Sequence, residues 1–581
     1  MQERPHSLLA DASRRRFIRD LAVGGVALGS GLGLAGCGGG DDDDDDRGTT
    51  VTFVHGVASG DPLADRVILW TRATPSREET LRVRWEVATD AGFSQLVASG
   101  EATTSAAADY TVKVDVTGLQ PGRSYFYRFR HGEAVSPVGR TRTLPTGAVE
   151  RVRMAVFSCS NYPAGYFNVY AAAAQMGDLD VAVHLGDYIY EFERGGYADQ
   201  NAAQLGRESQ PATELVTLAD YRTRHAQYKT DPDLQALHAA VPMIAVWDDH
   251  EMADNAWKQG AANHQPATEG DFVQRRAAAL QAYYEWMPVR APDPANPLRI
   301  YRSFDFGNLL SLHMLDTRLI GRDQPRDLMS YVRADGSFDQ ARFEAEVGAA
   351  DRQLLGAEQA AWLQQRLQSS TATWQVLGQQ VLMGRMEVPA PVLFHLRTGG
   401  QMGVSLEDYL ALLAKQQTDP SSLTPEELAV LGQPALPYNL DAWDGYPAQR
   451  EAVFEVARGA DKNLVVLAGD THNAWASDLA TQAGAAVGVE FATSSVSSPG
   501  FEAYLPSVLP STLASALEAL IDPLRYAETS RRGFMVVTAT PAECRADWYF
   551  VDTIAARSAA ASLDKSLKVL PGASNRKVVD V

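Results

Sequence analysis

Four stretches decide the reading: Arg153-Met-Ala-Val-Phe-Ser-Cys-Ser-Asn161, Val181-Ala-Val-His-Leu-Gly-Asp-Tyr-Ile-Tyr190, Met243-Ile-Ala-Val-Trp-Asp-Asp-His-Glu251 and Leu464-Val-Val-Leu-Ala-Gly-Asp-Thr-His-Asn473. Each opens on a short apolar run that reads as a buried strand and closes on acids, an imidazole, a thiol or a phenol. In open α/β sheets, ligands bind beyond the carboxyl ends of the strands. Four strand ends carrying groups suited to hard cations therefore point to one metal site assembled from distant segments.

Outward from these motifs, the chain from about residue 150 alternates strand and helix. Helical spacing runs through Phe167 to Met176, Leu218 to Leu237, Phe272 to Trp286, Glu358 to Leu367 and Ala448 to Val456. Further strands are expected at Ile300 to Phe304, Leu310 to Leu315, Gln375 to Leu377 and Phe534 to Val537. Such alternation argues an α/β sheet with helices on its faces. Asp323 to Ala350 and Glu387 to Leu436 have no clear place in that scheme and read as lids, rim loops or plain insertions. Ile554 to Leu567 is expected to be helical. Residues 49 to 146 look all-β, with period-two alternation in Leu81 to Val87 and Thr111 to Val116. There Leu119-Gln-Pro-Gly-Arg-Ser-Tyr125 resembles the tyrosine corner of fibronectin-type sandwiches. This region carries no chemistry of its own and reads as a scaffold.

A formal charge of -20 excludes a nucleic-acid-coating role, because such a surface repels polyanions. Anionic substrates would need local cations. Ser13-Arg-Arg-Arg-Phe-Ile-Arg19, followed by the weakly apolar Leu21 to Ala35, resembles a twin-arginine export signal. Leu34-Ala-Gly-Cys37 looks like a lipobox, which would make Cys37 a lipid anchor; the alternative is an ordinary cleaved signal. Either way the protein is expected to be exported, periplasmic or at the cell surface. The organisation expected is a signal over 1–37, an acidic linker over 38–48, a β-sandwich over 49–146, a catalytic domain over 150–551 and a C-terminal extension over 552–581. The remaining cysteines are Cys159 and Cys544. In an exported protein a disulfide is the default. Cys159 sits among polar groups at a strand end, which favours a metal thiolate and leaves Cys544 as a small buried residue.

Asp187 and Tyr190 can reach one point, a carboxylate being the usual bridge between cations and a phenolate a ligand for ferric iron. Alone Tyr190 reads as a packed aromatic; beside Gly186-Asp187 and three other metal-type motifs it reads as a ligand. Asp470 and His472, two apart on a strand-end loop, face the same side. Asp248, Asp249, His250 and Glu251 put three acids and an imidazole just after a strand. Burying so many unpaired charges is costly, and cations are the natural compensation.

These residues, with Asp316-Thr-Arg318 and Asp441-Ala-Trp-Asp-Gly-Tyr-Pro447, resemble the PhoD-type alkaline phosphatases among the calcineurin-like metallophosphoesterases, over about residues 50 to 550. The resemblance implies an α/β (α+β) sandwich of β-sheets flanked by helices, preceded by a small all-β fibronectin/Ig-like sandwich. It implies hydrolysis of phosphate monoesters and diesters by a hydroxide activated at a site of ferric iron, Fe(3+), and calcium, Ca(2+). Its iron ligands would be Cys159, Asp187, Tyr190 and His472, with Asp187 bridging to a calcium completed by Asp249 and Asp470. His250 would protonate the leaving group or hydrogen-bond the transition state, Asn161 would contact phosphate, and Asp248, Glu251, Arg318 and Asp444 would support the site or its rim, Arg318 with a catalytic part. The rival activity is phospholipase D-like phosphodiester hydrolysis at the same site. A rival of another class is a non-catalytic surface-binding lipoprotein.

Overall fold

The computed structural model describes residues 49–581; the expected export signal, Cys37 and the expected acidic linker lie outside the described residues. Two large sheets form the body. The first has ten strands, and at its heart Val152–Phe157, Val181–His184 and Met243–Ala245 run parallel, with Phe157 beside His184 and His184 beside Ala245. The second has seven strands, in which Leu310–Met314, Trp374–Gly378, Asn463–Ala468 and Ala486–Ala492 run parallel. Met154 and Val156 of the first sheet share one core with Val376, Val465 and Val489 of the second. These strands are buried almost throughout, as parallel strands covered on both faces are.

The all-β region is joined to this body through a continuous sheet. Val57–Gly60, Arg66–Arg72 and Thr111–Thr117 extend the ten-stranded sheet, Gly60 pairing with Met243. A second sheet, ordered Gly139–Arg142, Ser124–His131, Leu81–Ala88 and Leu96–Thr104, packs over them. The tyrosine corner forms: the Gln120 amide donates to Tyr125 Oη at 2.9 Å. Asp61 is fully buried, and Arg302 grips its carboxylate through two hydrogen bonds of 2.6 and 2.8 Å, tying this region to the body.

Three expectations change. The helix expected over Leu218 to Leu237 is two, Leu218–Lys229 and Pro232–Ala240, because Asp231 caps the second and Pro232 starts it. The segment expected to be helical over Ile554 to Leu567 instead ends in a strand, Ala561–Val569, antiparallel to Cys544–Val551. Pairing with a sheet edge outweighs its helical propensity. The two unplaced stretches contain short helices, Gln340–Val347, Ala390–Thr398, Leu406–Thr418 and Pro425–Leu431.

Candidate active site

Because the strands of the first sheet are parallel and in step, Cys159, Asp187 and Asp248 leave it at one level. Cross-links fix their loops: the Cys159 amide donates to Gly186 O at 3.2 Å and the Ser160 amide to Asp187 O at 2.8 Å. The second sheet delivers Asp470 and His472 to the same place, where the Asp470 amide donates to Ser158 Oγ at 3.3 Å and Val496 N to Ser158 O at 3.0 Å. Cys159, Asp187, Asp470 and His472 all adopt left-handed backbone, with φ of 62°, 56°, 63° and 64°. Non-glycine residues held there cost about 1–3 kcal/mol each, strain that collects at functional sites. Gly186, at φ 114°, is needed because a Cβ would lie 2.4 Å from Asp248 Cβ. At Gly469 a Cβ would lie 2.2 Å from Ser158 Oγ.

The side chains form three contiguous ligand sets, each with one donor atom per residue, all within 4.8 Å of one another: Cys159, Asp187 and His472; Asp187, Asp249 and His250; and Asp248, Asp249 and Asp470. Asp187 belongs to two of them. Tyr190 Oη donates to Asp187 Oδ2 at 3.1 Å, lies 3.2 Å from His472 Nε2 and accepts from Ser498 Oγ at 2.7 Å. The His472 Nδ1–H donates to Pro499 O at 2.8 Å, which turns the Nε2 lone pair toward the site. Cys159 is a free thiol with its Sγ 2.8 Å from Ser158 Oγ, and Cys544 is a separate buried thiol.

Arg318 binds the acids together. It is fully buried, and its guanidinium meets Asp248, Asp441 at 2.6 Å, Asp470 at 2.7 Å and Asp249 at 3.5 Å. The Glu251 carboxylate accepts from the amides of Asp187 at 3.1 Å, Tyr188 at 2.7 Å and Asp248 at 2.8 Å, knotting the first-sheet loops. Asp444 pairs with Arg450 and accepts from the Met386 amide, and stands outside the three ligand sets. Asn161 is buried, its amide donating to Tyr197 O at 3.2 Å.

His250 is clamped. Its Nδ1 lies 2.7 Å from Glu191 Oε2, and its ring stacks on Tyr190 at 4.2 Å. Glu191 is held by the Asp254 amide at 2.8 Å and Asn263 Nδ2 at 2.9 Å. Sequence reasoning does not single out Glu191, Tyr197, whose Oη lies 3.2 Å from His472 Nδ1, or Ser498. Legible signals for two of them were an acid four residues after Asp187 and the hydroxyl run Thr493-Ser-Ser-Val-Ser-Ser498.

The electrostatics ask for cations. Burial, reinforced by the charge of Asp187, pushes the Cys159 thiol well up. Burial also raises Asp187 and Asp248 well above the carboxylate range, and Asp470 to about 6. Burial opposes charge on Asp249 as well, but Arg318 and His250 hold it below the usual range. Burial opposes the charged His250 ring, and Asp249, Glu191 and Asp187 outweigh it. Asp248 Oδ2 and Asp249 Oδ1 are buried and accept no hydrogen bond. Orphaned carboxylate oxygens beside a thiol, a phenol and an imidazole fit a metal pair.

The family model described as "PhoD-like phosphatase" matches residues 154–548, and that for its N-terminal domain matches residues 40–145. The chain belongs to the PhoD-like phosphatase family. It is 34% identical to alkaline phosphatase D of Bacillus subtilis (strain 168) over 567 residues, 94% of this chain and 86% of the relative. A solved structure described as "Structure of PhoD" superposes with a TM-score of 0.73 at 33% identity, covering 91% of this chain and 92% of the other. This PhoD-like phosphatase is thus a phosphoric ester hydrolase, with the mixed sheets and flanking helices that its motifs imply.

Proposed function

We propose that the chain is an exported alkaline phosphatase hydrolysing phosphate monoesters and diesters at a site for ferric iron and calcium. The observation that carries this is the chaining of the three ligand sets, Asp187 joining the first to the second and Asp249 the second to the third. Iron would be held by Cys159, Asp187, Tyr190 and His472, a set whose thiol and phenol suit a trivalent ion. Calcium would be held by Asp187, Asp249 and Asp470, whose all-oxygen ligation suits a hard divalent ion. When bound, these ions supply a water of lowered pKa and positive charge facing the phosphoryl oxygens.

The chain's own residues supply the rest. Glu191 accepts from His250 Nδ1–H and sets the ring so that its Nε2 proton can go to the leaving oxygen. Arg318 keeps Asp249 and Asp470 in place and balances part of their mutual repulsion. The Asn161 side chain is the remaining candidate contact for phosphate.

Export through the twin-arginine machinery and anchoring at Cys37 complete the reading, on the sequence Ser13 to Cys37. Elemental analysis alongside turnover of p-nitrophenyl phosphate, bis-p-nitrophenyl phosphate and phosphatidylcholine tests it. The first two turning over with iron and calcium bound supports the proposal. Turnover of phosphatidylcholine alone assigns the site to lipids, and no turnover of any supports a binding role.

A further inference from the structure

The outer face of the all-β region is basic on a protein whose formal charge is -20. Along Ser124–His131, alternate residues Tyr125, Tyr127 and Phe129 are core, so Arg128 and Arg130 point outward. By the same alternation Arg82 and Arg84 on Leu81–Ala88, and Arg140 and Arg142 on Gly139–Arg142, share that face. Two acids on these strands share it, Glu86 and Glu101. Glu86 is consumed by Arg84 at 3.0 Å and Arg128 at 2.8 Å, and Arg142 pairs with Asp180 at 2.7 Å. Among the described residues no carboxylate lies within ion-pair distance of Arg82, Arg130 or Arg140. Arg130 is the direct cross-strand partner of Arg84, which is itself balanced by Glu86 and stands opposite Glu101 on its other side, so Arg130 is the unpaired charge of the two.

Apolar side chains frame the arginines. Val135 is the cross-strand partner of Arg130 and is 45% exposed, and Leu96, partner of Ala88, is likewise 45% exposed. Val97 and Val138 stand beside them, 48% and 42% exposed. Arginines beside exposed aliphatic groups on one flat face suit the boundary of an anionic bilayer, where headgroups meet acyl chains. A soluble polyanion would use the arginines alone. The chain's path agrees: Val51–Thr52 lies against Ala134–Val135, so the chain enters the described residues beside this face. Cys37, if anchored as proposed above, is 49 − 37 = 12 residues from Thr49, a reach of at most about 40 Å.

We propose that the outer face of the Gly139–Arg142, Ser124–His131, Leu81–Ala88 and Leu96–Thr104 sheet docks the enzyme onto anionic phospholipid headgroups. No helix among the described residues is long and apolar enough to cross a bilayer. The test is sedimentation with vesicles of phosphatidylcholine and phosphatidylglycerol at 3:1, using the full chain carrying Cys37→Ser so that no lipid can attach. Arg82→Glu, Arg130→Glu and Arg140→Glu combined in that background form the comparison, so the leader drops out of the difference. The expected results are binding that half-molar salt abolishes, and a loss of at least about 100-fold in the triple variant. Leu96→Ser with Val135→Ser should weaken binding further, and turnover of p-nitrophenyl phosphate should be unchanged in every variant. Equal binding by the triple variant, or none by the parent chain, overturns the proposal. Binding of dextran sulfate through the same arginines without vesicle binding assigns the face to soluble polyanions instead. Vesicle binding gained only after Asp41 to Asp46 are changed to Asn assigns it to the chain's own acidic run. Because phosphatase turnover is read separately, failure here leaves the catalytic proposal standing.

Discussion

On the thiol side of the site, Cys159, Asp187, Tyr190 and His472 are positioned by neutral hydrogen bonds and by left-handed backbone at three of the four. On the acid side, Asp248, Asp249 and Asp470 are gathered by one fully buried guanidinium, Arg318. The first half is placed by hydrogen bonds and backbone conformation. The second is an electrostatic compromise, since Arg318 supplies one positive charge against several acids. The acid side therefore has most to gain from a cation and most to lose when its arginine is removed.

The largest expected effect comes where the halves meet. Asp187→Ala should lower kcat/KM on the order of 10^3-fold, the upper end of what one preorganised charge contributes. Steady-state kinetics on a variant with native circular dichroism measures it, and near-normal turnover would break the idea of a shared ligand.

Next is Arg318→Ala. Uncompensated buried carboxylates should destabilise the chelator-treated protein by about 3–5 kcal/mol. Calorimetry should show added calcium recovering much of that loss. Tyr190→Phe should show no such calcium dependence; if it does, the two halves are not organised differently.

Glu191→Gln should cost roughly 10–100-fold in kcat, the usual range for a partner that orients a functional histidine. Alkyl phosphates should suffer more than p-nitrophenyl phosphate, because a poor leaving group depends on the proton from His250. An equal loss for both would reduce Glu191 to a structural acid.

The smallest effect is expected at Ser498. Removing its hydrogen bond to Tyr190 should cost about 1 kcal/mol. The same Ser498→Ala substitution should shift the tyrosinate-to-iron absorption that Tyr190→Phe abolishes, both read in the visible spectrum of the holoprotein. An unmoved band in both variants would take Tyr190 out of the iron set.

Much of this architecture can be read from the residues. Strand, glycine and acid in Val181 to Tyr190 or Leu464 to Asn473 announce both burial and the group placed at the strand end, since a buried apolar run fixes the level at which the next side chains emerge. Arg318 could be flagged as supporting the site but not as its hub, because its contacts come from three distant segments, one of them 152 residues away. Glu191 was hidden because an acid four residues after a ligand is informative only once the loop folds back to His250. The break at Asp231–Pro232 was written in capping chemistry and overlooked in the longer helical period. Ala561–Val569 became a strand through its partner Cys544–Val551, which local propensity does not report. The sheet continuity between the all-β region and the body rests on one residue pair, Gly60 with Met243, between segments far apart in the chain.

Elemental analysis of the purified, active protein is the sharpest check on the metal pair. If Cys159, Tyr190 and His472 grip one ion and Asp249 and Asp470 another across Asp187, each chain should carry one iron and at least one calcium. Full activity with neither metal bound, or with zinc alone, would contradict it.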